Sequence, residues 1–343
     1  MNIWQRSYTR KSSDEYGRGE IIRFFAGLSL LFLLSLVLAV LFGSTSTGIR
    51  EALTEGKGSA AYRIFLYVRL PRAFAAVLAG SALAVSGAII QAVLNNAMAA
   101  PNIIGVNSGA GLAVTLLVAV NPAAVSYLPY AAFFGALAAC LCIYAIAART
   151  GASRMTITLV GITISSILTA GINTVKTVFP DSLYNSNAFL VGGISGVSMA
   201  RLSPACWLIG LGLVCAWLVA KDTDVLNLGE ETAGSLGMNV KATRFLLLLL
   251  ASVLAGSAVS FAGLLGFVGL LAPHICRRFV GGTHRRLIPA CALGGATLVL
   301  LCDLAARLLF APYELPVGII LSLVGGPFFL MLILVQRKSR LYD

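Results

Sequence analysis

Two histidines are candidates to ligate iron or haem, and seven cysteines invite a check for metal spacing. His274 follows Pro273, and His284 stands apart from it at a second helix–loop junction. A lone histidine at such a junction is more often hydrogen-bonded locally or interfacial than a ligand. The cysteines never fall into a C-x-x-C spacing. Cys140 and Cys142, two apart on a helix, point to different faces and read as small core residues. No G-x-x-x-x-G-K-[ST] phosphate loop occurs, since Gly56-Lys57-Gly58 lacks the upstream glycine. The H-E-x-x-H zinc pattern and the nucleophile elbow are missing too. The expectation is a chain without catalytic residues, cofactor or metal. If it works uphill, either ATP is hydrolysed on another chain or an ion gradient drives it.

What remains is polarity placed against an apolar background. Only 11% of residues are charged, against roughly a quarter in soluble domains. Asp303 and Arg307 stand four apart on one helical face and can neutralise each other; a lone charge at mid-bilayer costs about 2.5–3.5 kcal/mol. Arg50, Lys57, Arg63, Arg69 and Arg72 gather in and beside one loop. Ser166, Thr169 and Asn173, spaced by three and four with Ser165 alongside, form a polar stripe that suits a cavity. Hydrogen bonding of Ser and Thr within their own helix is the alternative. In residues 224–237, Glu230 and Glu231 suit a helix N-terminus, Ala233 and Leu236 lie three apart on one face, and Gly237 suits the position just past the end. Such a short helix either plugs a cleft on a soluble partner or is an ordinary capped connector.

The elements that must position these groups are membrane helices. A hydrophobic share of 58% and a mean hydropathy of +0.91 exclude a soluble domain. Apolar stretches near 22–43, 68–92, 103–120, 125–148, 155–175, 204–220, 244–262, 264–273, 287–310 and 315–335 predict an all-α polytopic protein of about ten spans. The stretch at 264–273 is too short to cross alone. The first run lacks a small-x-small cleavage site and reads as an uncleaved helix. The net charge of +12 reads as topology rather than nucleic-acid contact, because basic residues concentrate on one set of loops and on the tails. With both termini cytoplasmic, residues 1–21 are an N-terminal tail, 22–336 the transmembrane domain and 337–343 a C-terminal tail. That orientation leaves the cluster around Arg50 to Arg72 outside, against the positive-inside trend. Within the second span, Ala76, Gly80, Ala84, Ala88 and Ala92 recur every four residues, a ridge for close helix packing. Ser86, Gln91, Asn95 and Asn96 accompany it and need partners or water.

Longer motifs carry a resemblance. These are Arg69-Leu70-Pro71-Arg72 at a helix start, Gly87 with Gln91, and Pro101 followed by Gly105-Val106-Asn107-Ser108-Gly109-Ala110. To them add E-x-x-A-x-x-L-G from Glu230 to Gly237, and the unbroken block from Ala262 onward. Together they resemble the FecCD family of type II ABC importer permeases, which carry ferric siderophores, haem or cobalamin. The likeness covers nearly everything after residue 60. It departs at Asn96-Ala97-Met98-Ala99, where the family commonly has Asn-Pro-Leu-Ala, and at Phe189, where tryptophan is frequent.

The resemblance implies a cobalamin-permease-like fold and a permease subunit for ferric siderophore, with haem or cobalamin as alternatives. It implies cytoplasmic ABC ATPase subunits engaging Glu230, Glu231, Ala233, Leu236 and Gly237. It further implies a second permease chain, surrounding lipid, and an extracytoplasmic substrate-binding protein gripped by Arg69, Arg72 and Arg307. The Gly151–Thr156 turn, with Ser153, Arg154 and Met155, would be the inner gate. Ser165, Ser166, Thr169, Asn173 and Gln91 would line the pathway, and the histidines would be framework. A different class, an ion-gradient-driven secondary transporter, usually needs midplane ionisable groups; Asp303 and Lys176 are the candidates for it.

Overall fold

Small side chains decide how the central helices pack. The computed structural model describes residues 17–43, 59–151 and 153–340, and every regular element among them is helical. In chain order these are α1 (Arg18–Leu41), α2 (Ala60–Val93), α3 (Val106–Val120), α4 (Leu128–Arg149), α5 (Arg154–Val178), α6 (Ser182–Val191) and α7 (Met199–Leu218). They continue as α8 (Ala220–Asn227), α9 (Glu230–Ser235), α10 (Val240–Ala262), α11 (Val268–Val280), α12 (His284–Leu308) and α13 (Val317–Arg340). Helices α1, α2, α4, α5, α7, α10 and α12 are long and apolar enough to cross a membrane. Helix α3 and the Val317–Leu332 part of α13 are shorter apolar helices. Helix α11 has 13 residues and carries Arg277 and Arg278 in its last turn, so the short stretch near 264–273 is a half-length amphipathic helix displaced toward the C-terminus.

Three boundaries correct the sequence expectation. Helix α1 begins at Arg18 rather than 22, and α13 runs to Arg340, into the expected C-terminal tail. The residues before Gly17, together with Arg50 and Lys57, lie outside the described residues. The second helix starts at Ala60 rather than near 68. Pro71 suggests a helix start because it cannot donate to an upstream carbonyl. The chain instead accommodates it with a wide π turn at Phe65–Arg69, where the Leu70 N–H reaches back to the Phe65 carbonyl. Two further helices, α6 and α8, were not foreseen.

Helix α2 is the hub: 89% of its apolar window is buried, against 11% for α1 and 17% for α5. Every residue of the small ridge, Ala76 through Ala92, is buried. The ridge lets α2 and α12 touch backbone to backbone. A Cβ at Gly80 would collide with the carbonyl of Gly295 and lie 2.8 Å from the Ala296 Cα. Such approaches gain dispersion where burial from water offers nothing between membrane helices. Polar groups on α2 find backbone partners. Ser86 Oγ donates to the Ala251 carbonyl at 2.7 Å, and Gln91 Nε2 reaches the Gly269 carbonyl at 3.5 Å. Asn95 and Asn96 sit exposed in the turn after α2.

Candidate functional site

Functional candidates fall at the two ends of the bundle and along α5. At the end where α2 begins and α12 finishes, four charges interlock. Arg72 Nε donates to both carboxylate oxygens of Asp303, at 3.0 and 3.1 Å, and its Nη1 meets Glu314 Oε2 at 2.5 Å. Arg307 Nε lies 3.1 Å from Asp303 Oδ2, one of the same two oxygens. The Arg307 Nη1 also donates to the carbonyls of Ala39 and Phe42, at 3.1 and 2.9 Å, and Arg69 Nη1 donates to Leu41 at 2.6 Å. These carbonyls close α1, which has no basic residue in its last turn. Arginines from α2 and α12 therefore cap it, where helix ends leave carbonyls unsatisfied and favour cations.

Arg69, Arg72, Asp303 and Arg307 are all buried, and Glu314 keeps 32% of its side chain exposed. The expected pairing of Asp303 with Arg307 is present. The three arginines expected to grip a binding protein are committed inside the chain, so an incoming carboxylate must displace existing partners to reach them. Glu314 has no sequence signal beyond being one of 13 acidic residues.

The opposite end carries the short loop helix. Gly229 and Gly237 bracket α9, with φ of +114° and +83°, in the left-handed region that glycine enters freely. The Met238 N–H returns to the Ala233 carbonyl at 3.0 Å across Gly237, a Schellman closure. Ala233 is buried, whereas Leu236 and Leu228 are 65% and 62% exposed. The expectation that Ala233 and Leu236 share a face is corrected: the helix ends at Ser235, and Leu236 turns outward in the cap. Exposed Glu231, Leu228 and Leu236 form the outer surface.

Behind that surface, Glu230 Oε1 stands 2.6 Å from Arg244 Nη2 and 3.8 Å from Arg154 Nε. Arg154 also donates through Nη2 to the Leu226 carbonyl at 2.9 Å. Ser153 caps α5, its Oγ accepting from the Thr156 N–H at 3.1 Å, and Met155 points outward, exposed.

Helix α5 presents one continuous face. Met155, Leu159, Ile162, Ser166, Thr169 and Asn173 follow each other by fours and threes and are all exposed, apolar toward the Arg154 end and polar beyond it. Ser166 and Thr169 bond the carbonyls of Ile162 and Ser165, at 2.9 and 2.7 Å, as in the alternative that keeps them within their own helix. Ser165 is half-buried and reaches the Asn102 carbonyl at 3.4 Å, while Gln91 lies buried on α2, away from this face. His284 is buried, its ring Nδ1 2.6 Å from Asp224 Oδ1 and its N–H 2.9 Å from the same oxygen. His274 lies edge-on to Phe328, centroids 6.3 Å apart. Among the described residues no three His, Cys, Asp or Glu side chains gather as a metal site.

The sequence that folds into this bundle matches the FecCD transport family over residues 28–335. The chain belongs to that family. The haemin transport system permease protein HmuU of Yersinia pestis is 37% identical over 324 residues, covering 91% of this chain and 97% of its own. The Fe(3+) dicitrate transport system permease protein FecD of Escherichia coli is 36% identical over 290 residues, covering 84% and 91%. A solved structure assigned to the metal-chelate type of ABC transporter, in an inward-facing conformation, superposes with a TM-score of 0.80 at 26% identity, covering 91% of this chain and 98% of that one. This FecCD protein is thus a multi-pass membrane permease of the ABC importer class.

Proposed function

We propose that this permease carries ferric siderophore across the cell membrane, powered by separate cytoplasmic ATPase subunits and supplied by an extracytoplasmic binding protein. The observation that carries this is α9: a two-glycine-bracketed helix outside the spanning helices, with Leu228, Glu231 and Leu236 turned outward. Exposed leucines beside a carboxylate suit a cleft on a soluble partner, since an isolated apolar surface in water is costly. Both termini then lie in the cytoplasm, on the same side as α9.

The exposed face of α5 supplies the passage. Hydroxyls and a carboxamide facing lipid are unfavourable, so Ser166, Thr169 and Asn173 suit a water-filled path shared with a second permease chain. The apolar Met155–Ile162 section of the same face closes that path at its inner end, beside the Ser153–Met155 turn. Transport is alternating access: ATP-driven motion of the partner shifts α9, and α5 opens at one end or the other. The chain's contribution is differential stabilisation of two states. Arg72 and Arg307 receive the binding protein by exchanging their internal carboxylates for its own, and Arg69 by releasing the Leu41 carbonyl. Bidentate arginine–carboxylate geometry makes such an exchange nearly balanced.

The test is uptake of radiolabelled iron, supplied as ferric siderophore, haem or ferric citrate, by a strain deleted for this chain and by the complemented strain. Loss of siderophore uptake alone supports the assignment. Loss of haem or citrate uptake alone reassigns the cargo. Uptake that survives ATP depletion but fails with a collapsed proton gradient moves the chain to the secondary transporters.

A further inference from the structure

The structure joins two regions that sequence alone treats as separate. Arg154 is the first residue of α5, the helix with the polar face, and Glu230 is the first residue of α9. Arg154 Nε lies 3.8 Å from Glu230 Oε1, an ion-pair distance rather than a hydrogen bond, and Arg244 of α10, itself buried, approaches the same oxygen more closely, at 2.6 Å. Two spanning helices thus present a cation from near their N-terminal ends, Arg154 in the first turn of α5 and Arg244 in the second turn of α10, to one acidic group on the loop helix. Cations are unfavourable in the first turn of a helix, so the Glu230 carboxylate offsets an electrostatic cost of Arg154 at the start of α5. Arg154 also holds the Leu226 carbonyl at the end of α8, and α8 is tied to the start of α12 through Asp224 and His284. Between Leu226 and Glu230 lies Gly229, with its φ of +114°, a place where the chain bends easily.

We propose that Glu230 is the positioning residue through which α9 moves the gate. Pivoting of α9 about Gly229 carries the carboxylate with it, and Arg154 transmits that displacement to the start of α5 while α8 stays anchored to α12. This rests on the proposed engagement of α9 by an ATPase. Glu230, 44% exposed but directed at Arg244 and Arg154, is the transmitting group, whereas Leu228, Glu231 and Leu236 are the contact surface.

The experiment reconstitutes the complete importer in liposomes with Glu230→Gln, Arg154→Gln and the double variant, and reads cargo moved per ATP hydrolysed. Both single variants are expected to keep the ATPase bound and hydrolysing, and to lower transport per ATP about tenfold, within the range typical of coupling between sites. The double variant is expected to lose no more than either single one, because both remove one link. Additive losses, or an unchanged ratio of transport to hydrolysis, overturn the proposal. If Glu230→Gln instead releases the ATPase, Glu230 is a contact residue and the proposal fails. If the unmodified chain never retains an ATPase, the proposed function falls, and this inference with it. Thermal unfolding of each purified variant, expected within a few degrees of the parent, separates lost coupling from lost fold.

Discussion

Arg72 and Asp303, separated by 231 positions in the chain, form a buried two-pronged ion pair that fastens α2 to α12. Arg307 approaches the same carboxylate from one turn away, and Glu314 takes up the remaining edge of Arg72. Each charge in the cluster is partnered, which makes it tolerable in a low-dielectric bundle and sensitive to loss of any member.

Replacing Asp303 by Asn removes the one carboxylate shared by Arg72 and Arg307. The expected cost is about 3–5 kcal/mol, as for breaking a buried pair, read as a lowered thermal midpoint in detergent. Glu314→Gln acts on a partly exposed edge and is expected to cost about 1 kcal/mol or less. Equal effects of the two substitutions would mean that burial does not set the strength of this cluster.

Gly80→Ala places a methyl against the Gly295 backbone, where nothing flexible can yield. Separation of α2 from α12 is expected, with a loss of about 1–3 kcal/mol or more. Gly210→Ala is the control: its Cβ meets nothing within 4 Å on the exposed side of α7. A gain of roughly 0.5–1 kcal/mol is expected there from helix propensity. Comparable yields and midpoints for the two variants would contradict the packing argument.

Gly237→Ala also meets no atom within 4 Å, but must hold a φ of +83°. The strain, about 1–2 kcal/mol for an L-residue in the left-handed region, falls on the closure of α9 alone. Faster amide exchange at Ala233 to Met238 and weaker ATPase retention are expected, with the thermal midpoint of the bundle unchanged. A bundle-wide loss of stability would show that α9 is part of the core.

Cysteines introduced singly at Ser166, Thr169 and Asn173, in a version of the chain freed of its seven native cysteines, are expected to react with a charged, membrane-impermeant thiol reagent. A cysteine at Ile167 is exposed on α5 but lies about 120° around the helix from that face, and is expected to stay unlabelled in lipid. Labelling of all four alike would remove the pathway from this face.

The helical architecture was legible because hydropathy and length alone mark a spanning segment, and the four-residue ridge on α2 identified its packing face. The closure of α9 at Gly237 was legible too, since a left-handed cap has a local signature. Long-range pairing was not. The i, i+4 pair Asp303–Arg307 was legible, but Arg69 and Arg72 read as part of a basic cluster because the Leu41 carbonyl of α1 and the carboxylates of Asp303 and Glu314 reach them only through the fold. The early start of α2 was hidden by Pro71, whose missing N–H marks a helix start in most settings. Helix α6, ten residues long, lacks both the length of a span and a strong periodicity. Leu236 turned outward because α9 ends one residue earlier than an unbroken helical face requires.

The most direct measurement of the central claim is transport by the purified chain in liposomes, with and without its ATPase subunits, under an imposed proton gradient and with ATP inside. Movement of ferric siderophore only when ATPase and ATP are both present is the predicted result. Accumulation by the permease alone, driven by the gradient, would contradict it.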